Sequence, residues 1–136
     1  MEQIQVDNGQ VCYRVNGKGV LRFNPADPNI YARFMELDVK FKELENQLLA
    51  LENPGEQFQQ ADVKIKELLG WVFGSHNDFN ALLGGVSVLA VASNGRRVLD
   101  NLLEALEPIL VAGVRQYAGE LTRQAVAASQ KRRSQC

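Results

Sequence analysis

The feature that most constrains this chain is a seam. Ile30, Phe34, Leu37, Phe41, Leu44, Leu48 and Leu51 follow one another at spacings of four and three. At 3.6 residues per turn, that spacing gathers the side chains on one face of a helix pressed against another helix. A second run, Leu99, Leu103, Leu106, Leu110, Gly113 and Tyr117, repeats the pattern near the C-terminus. A chain committed this heavily to helix–helix contact reads as mainly α, a helical bundle. The first seam has two possible partners, the C-terminal helix of the same chain or a second copy, because both use this spacing.

The first 24 residues follow a different period. Ile4 and Val6 alternate with polar neighbours before Asp7-Asn8-Gly9; Val11, Tyr13 and Val15 alternate before Asn16-Gly17-Lys18-Gly19; Val20, Leu21 and Phe23 close the stretch. Asn-Gly between alternating apolar runs is a hairpin signal, because both turn positions need positive φ. A small antiparallel hairpin or meander of two or three strands is expected over 1–24. Two or three strands need a surface to lie on, which makes the class α+β and the chain a single domain.

Asn24-Pro25-Ala26-Asp27-Pro28 is the boundary, with Asp27 as N-cap and Pro28 at the first helical position, where its missing N–H is no loss. The spacing predicts one long helix from there to about Glu52. Asn53, Pro54 and Glu56 then open a second, with Ala61, Ile65, Leu68 and Val72 on one face, ending near Gly74. Asn77 is expected to cap a short helix through Leu83, stopped by Gly84-Gly85. Val86 to Ala92 is apolar throughout apart from Ser87, which predicts a buried segment, here a short helix. After Ser93-Asn94-Gly95 a last helix is expected from about Arg96 to Ser129, kinked or split near Glu107 by Pro108. The helical bundle thus spans 28–129, and a basic polar tail over 130–136 is expected to fray.

Composition narrows the function. The 136 residues carry 15 basic and 16 acidic side chains, a net charge of -1. No field of one sign covers the molecule, which argues against nucleic acid or an anionic membrane as the main partner. The longest apolar stretch is far short of the ~20 residues a spanning helix needs. No secretory segment opens the sequence, and Cys12 and Cys136 read as free thiols in a reducing cytoplasm.

Chemistry is sparse. The single histidine, His76, lies among Ser75, Asn77 and Asp78, the pattern of a loop rather than of a catalytic set gathered from distant segments. One histidine and two distant cysteines make no tetrahedral metal set. The acids of the first helix interleave with Arg33, Lys40 and Lys42, the pattern of a solvated face. Neither Gly17-Lys18-Gly19 nor Gly84-Gly85 has phosphate-loop spacing. The segment after Arg115 is basic, with Arg123, Lys131, Arg132 and Arg133 against Glu120, but no aromatic residues interleave for base stacking. No catalytic residue, cofactor or metal is expected. Partner-binding residues are expected among Trp71, Phe73 and Phe79, and among Phe34 and Phe41 on the first seam. For Trp71 a core position with its indole N–H at the rim is the competing reading.

The stretches Val15-Asn16-Gly17, Phe23 through Phe34, Phe73-Gly74, Asn77-Asp78-Phe79, Leu83-Gly84-Gly85-Val86 and Val98 through Leu106 resemble a family of small proteins from tailed phages and prophages of Gram-positive bacteria. These are similar to tail assembly chaperones. The resemblance implies a non-enzymatic protein of the bacterial host cytoplasm that binds the tape measure protein, and possibly the major tail protein, before the tail tube polymerises. It implies no catalytic residues. A structural subunit of the virion, built by self-association, is the alternative; a nucleic-acid-binding regulator using the basic end is a third reading.

Overall fold

The computed structural model describes residues 1–134, with side chains through Gln130. The order is β1 (Val11–Val15), β2 (Gly19–Phe23), α1 (Pro28–Met35), α2 (Leu37–Leu48), α3 (Pro54–Phe73), α4 (Phe79–Leu82) and α5 (Val98–Ser134). The class is mainly α with an N-terminal antiparallel hairpin.

β1 and β2 pair in the register Val11↔Phe23 to Val15↔Gly19. Asn16 and Gly17 both have positive φ, 50° and 70°, as the Asn-Gly signal requires. Among the described residues there is no third strand: Ile4 and Val6 lie in an irregular, exposed segment before the hairpin. The inner face places Leu21 and Phe23 in the core.

The long first helix is two. The chain breaks at Glu36, whose N–H bonds Arg33 O, a tighter turn than the α-helical one. No proline or glycine marks the break. The apolar face continues across it, with Ile30, Leu37 and Leu44 buried and Phe34, Phe41 and Leu48 half-buried. α2 ends at Leu48, four residues early, and its seam packs chiefly on α3; α1 bridges α3 and α5. The caps fall where expected: Asp27 accepts from Asn29 N, and Asn53 from Gly55 N and Glu56 N.

Two corrections concern the middle of the chain. The N-cap of α4 is Asp78, which accepts from Ala81 N at 3.1 Å, and not Asn77. Val86 to Ala92 is not a helix and is not buried all round. Val88 is fully buried, whereas Val86 and Val91 are exposed. The segment caps α5 instead: Val88 O and Ala90 O accept from Leu99 N and Val98 N, two donors that α5 cannot satisfy internally.

α5 runs unbroken through Pro108 to Ser134. Pro108 sits on the solvent face with Glu104 and Glu107, so the carbonyl it leaves unbonded can be hydrated. The tail expected to fray is helical to Ser134; Gln135 and Cys136 lie outside the described residues. Leu99, Leu106, Leu110 and Gly113 are buried, but Tyr117 is exposed, and from Arg115 to Gln130 nearly every side chain faces solvent. Gly113 marks the last close approach. A Cβ there would overlap the Pro25 carbonyl and reach Ala26 N at 3.0 Å.

Candidate functional site

Four of the five aromatic residues expected to bind a partner pack on or within the core. Phe73 and Phe79 are buried to 1% and 2% exposure. Phe73 sits at the centre of a ring cluster, with its centroid 4.9 Å from Phe23, 5.9 Å from Phe79 and 6.4 Å from Phe34. Tyr13 stacks on Phe23 at 5.2 Å. These rings fasten the hairpin to α1, α3 and α4, so Phe73 and Phe79 are closed to a partner. Burial of its ring raises the Tyr13 phenol above its ordinary pKa.

Trp71 is the reverse case: it is 41% exposed, on the outer face of α3, with Lys40 Nζ 5.6 Å above its ring. It borders a shallow depression of about 730 Å³ shared with α4. Phe41 stands at another surface, an open groove of about 710 Å³ between α2 and α3, lined also by Leu89 and Leu99. The structure therefore separates Trp71 from Phe41.

The α2–α3 groove gathers more apolar side chains than the Trp71 depression does. Its walls are Phe41, Leu44, Leu48 and Leu49 from α2 and its C-terminal turn, and Phe58, Ala61 and Ile65 from α3. Leu49 and Phe58 are 71% and 64% exposed, large apolar surfaces held open to solvent. Asp38, Lys42, Glu45 and Arg97 form its polar rim. Arg97 is fixed by a two-pronged bond to Asp100, at 3.0 and 3.1 Å, which holds the Asp100 carboxyl below the usual carboxylate range. The α2–α3 turn is tied by Gln57 Nε2 to Leu51 O. Phe58 escaped the sequence reading, although it continues the face of Ala61 and Ile65 one turn toward the N-terminus.

The polar residues near the second depression bond to the scaffold. Asn77 presents its amide to the outer edge of β2: Arg22 N donates to Oδ1 at 2.9 Å, and Nδ2 donates to Arg22 O at 2.9 Å and to Phe73 O at 3.0 Å. A side chain thus replaces a missing third strand. His76 Nε2 lies 3.0 Å from the same Arg22 carbonyl. Lys66 is buried; its ammonium donates to Asp62 Oδ2 at 3.0 Å and Asn80 Oδ1 at 2.7 Å, while Asp62 Oδ1 accepts from Val88 N at 2.8 Å. That knot joins α3, α4 and the segment leading to α5. Arg33 caps α3, donating to Val72 O from Nε and Nη2.

Among the described residues no group of three or more His, Cys, Asp or Glu could hold a metal ion, and no helix is long and apolar enough to cross a membrane. Comparison with protein-family models, curated proteins and solved structures finds no match to this chain.

Proposed function

We propose that this protein is a non-catalytic tail assembly chaperone of a tailed phage, which binds a long helical tape measure protein in the host cytoplasm before the tail tube polymerises. The α2–α3 groove is the observation that carries the reading. An amphipathic helix binds by laying its apolar face into a groove, with anchors three or four residues apart. Phe41, Leu48, Leu49 and Phe58 offer such a groove open to solvent, with charges of both signs on its rim. Covering this surface on a partner removes apolar area from water on both molecules.

The test is co-expression with the cognate tape measure protein followed by pull-down. A stable complex and a rise in tape measure solubility are expected. Phe58→Glu and Leu49→Glu alter exposed side chains; each should leave the melting temperature within a few degrees of the parent and abolish capture. No complex with the parent, or full capture by both variants, refutes the reading.

A structural virion subunit is the second reading. It draws on the uncovered half of α5, a bare helix of the kind used in assembly contacts. Mass spectrometry of purified particles separates the two, since a chaperone is absent from mature virions and a subunit is present in many copies.

A further inference from the structure

We propose that the free edge of β1 takes up residues 2–6 of a second copy as an added strand, two copies exchanging their N-terminal arms. This does not depend on the proposed function; it begins with the direction of backbone groups. Arg22 turns both its N–H and its C=O toward Asn77, away from β1. Its register partner Cys12 therefore turns its own pair outward on the other side, and strand alternation gives Arg14 the same direction. Among the described residues these four groups meet no hydrogen-bond partner. One edge of the hairpin is sealed by a side chain, and the other is an open template for a strand.

The arm has the matching pattern. Ile4 and Val6 alternate with Gln3 and Gln5. Both apolar side chains are nearly bare, at 90% and 78% exposure. With Val6 opposite Val11 and Ile4 opposite Tyr13, they fall on the sheet face where Tyr13 already packs on the core.

The arm of the same chain is directed elsewhere. Asp7 Oδ1 accepts from Gly9 N and Asn8 Oδ1 from Gln10 N, which turns the chain sharply before β1. Asn8 O then accepts from Asn24 Nδ2 at 2.9 Å. Asn24 directly follows β2, so this bond ties the turn to the β2 side, away from the open edge. A second copy's arm reaches that edge with the tie intact.

Charge favours the same pairing. Among side chains, the arm carries Glu2 and Asp7 and no base, whereas residues 8–26 carry Arg14, Lys18 and Arg22 and no acid. Arm against arm and hairpin against hairpin repel; arm against hairpin attracts. Reciprocal exchange between two copies is a closed, two-fold arrangement that doubles a contact otherwise only one short strand long.

Gln5→Cys in the full chain, with Cys136→Ser to remove the second native thiol, tests the proposal. Residue 5 then faces Cys12 across the added pair, at a Cα separation of ~5.5 Å, within disulfide range. Mild oxidation should give a covalent dimer on a non-reducing gel, with a peptide bridging the introduced thiol and Cys12. Adding Ile4→Asp and Val6→Asp should reduce that dimer at least tenfold without lowering the melting temperature. Light scattering of the parent, at rising concentration and low salt, should show the mass moving toward two copies, and the Ile4→Asp/Val6→Asp variant should stay at one. A bridge within one chain, no bridge, a dimer that survives the two aspartates, or a parent that remains at one copy overturns the proposal.

Discussion

Gly113→Ala sets two physical effects against each other and the structure decides the sign. On helix propensity alone, alanine for glycine in a helix interior stabilises by about 1 kcal/mol. At Gly113, however, the new methyl overlaps the Pro25 carbonyl and also approaches Ala26 N at 3.0 Å. Both obstacles are backbone, in the turn that joins the hairpin to α1, and no rotamer change can relieve them. α5 must lift away from that turn, which loosens Leu110 and Leu106, at 1% and 4% exposure. Overpacking costs typically 1–3 kcal/mol and occasionally more; with backbone on the blocked side, the gross cost here is about 3–5 kcal/mol. Net of the propensity gain, a loss of about 2–4 kcal/mol is expected. Unfolding entropy is about 2.1 cal/mol/K per residue, so for this length that loss lowers the melting temperature by roughly 7–14 °C. Gly119→Ala is the internal control, on the same helix with nothing within 4 Å of the added Cβ; it should raise stability by up to ~1 kcal/mol. Thermal unfolding of parent and both variants, followed by circular dichroism, makes the comparison. If Gly113→Ala is as stable as Gly119→Ala, α5 does not cross the turn at this distance and the packing argument fails.

Asn77→Ala should cost about 2–4 kcal/mol in urea unfolding, because it strips partners from Arg22 N, Arg22 O and Phe73 O in a buried corner. A loss below 0.5 kcal/mol would mean that water replaces the amide freely. Asp62→Ala should cost about 3–5 kcal/mol, since it leaves the buried Lys66 ammonium without its anion. Lys66→Met in the same background should recover part of that loss, and a double-mutant cycle measures how much. Asp100 should titrate below the ~3.9 typical of aspartate, because Arg97 bonds its charged form. Its folded pKa is the lower one, so its share of stability is complete above the unfolded value and fades as pH falls through the depressed one. Arg97→Gln should return the midpoint, read by NMR, to the ordinary range.

What was legible in the sequence was what local chemistry determines. Asn16-Gly17, Asp27-Pro28 and Asn53-Pro54 announce a turn and two caps through groups no more than a few residues apart, and each sits as written. The seams were legible because burial of every third or fourth residue is itself a local pattern. The break at Glu36 was not, because no residue type there disfavours a helix; α1 bends to reach α5 while α2 stays on α3. Val86 to Ala92 misled because an apolar run implies burial, whereas this segment serves through its carbonyls, which receive the first amides of α5. Asn77 read as a cap by residue type. Two of its three backbone bonds go to Arg22, fifty-five residues away in β2, beyond any local signal. Of the residues expected to bind a partner, Phe41 and Trp71 line surface depressions and Phe73 and Phe79 are core, whereas the exposed Phe58 was not among them.

The uncovered length of α5 has a hydrodynamic consequence. From Arg115 to Gln130 the helix extends roughly 24 Å at ~1.5 Å per residue, beside a body whose radius of gyration is about 13 Å for some 110 residues. A particle with such a spike diffuses more slowly than a sphere of equal mass and elutes early from a sizing column. Elution volume would therefore imitate a larger species even for one copy. Trypsin cutting at Arg115 or Arg123 should trim the spike first and shift that volume back, leaving the compact remainder undigested.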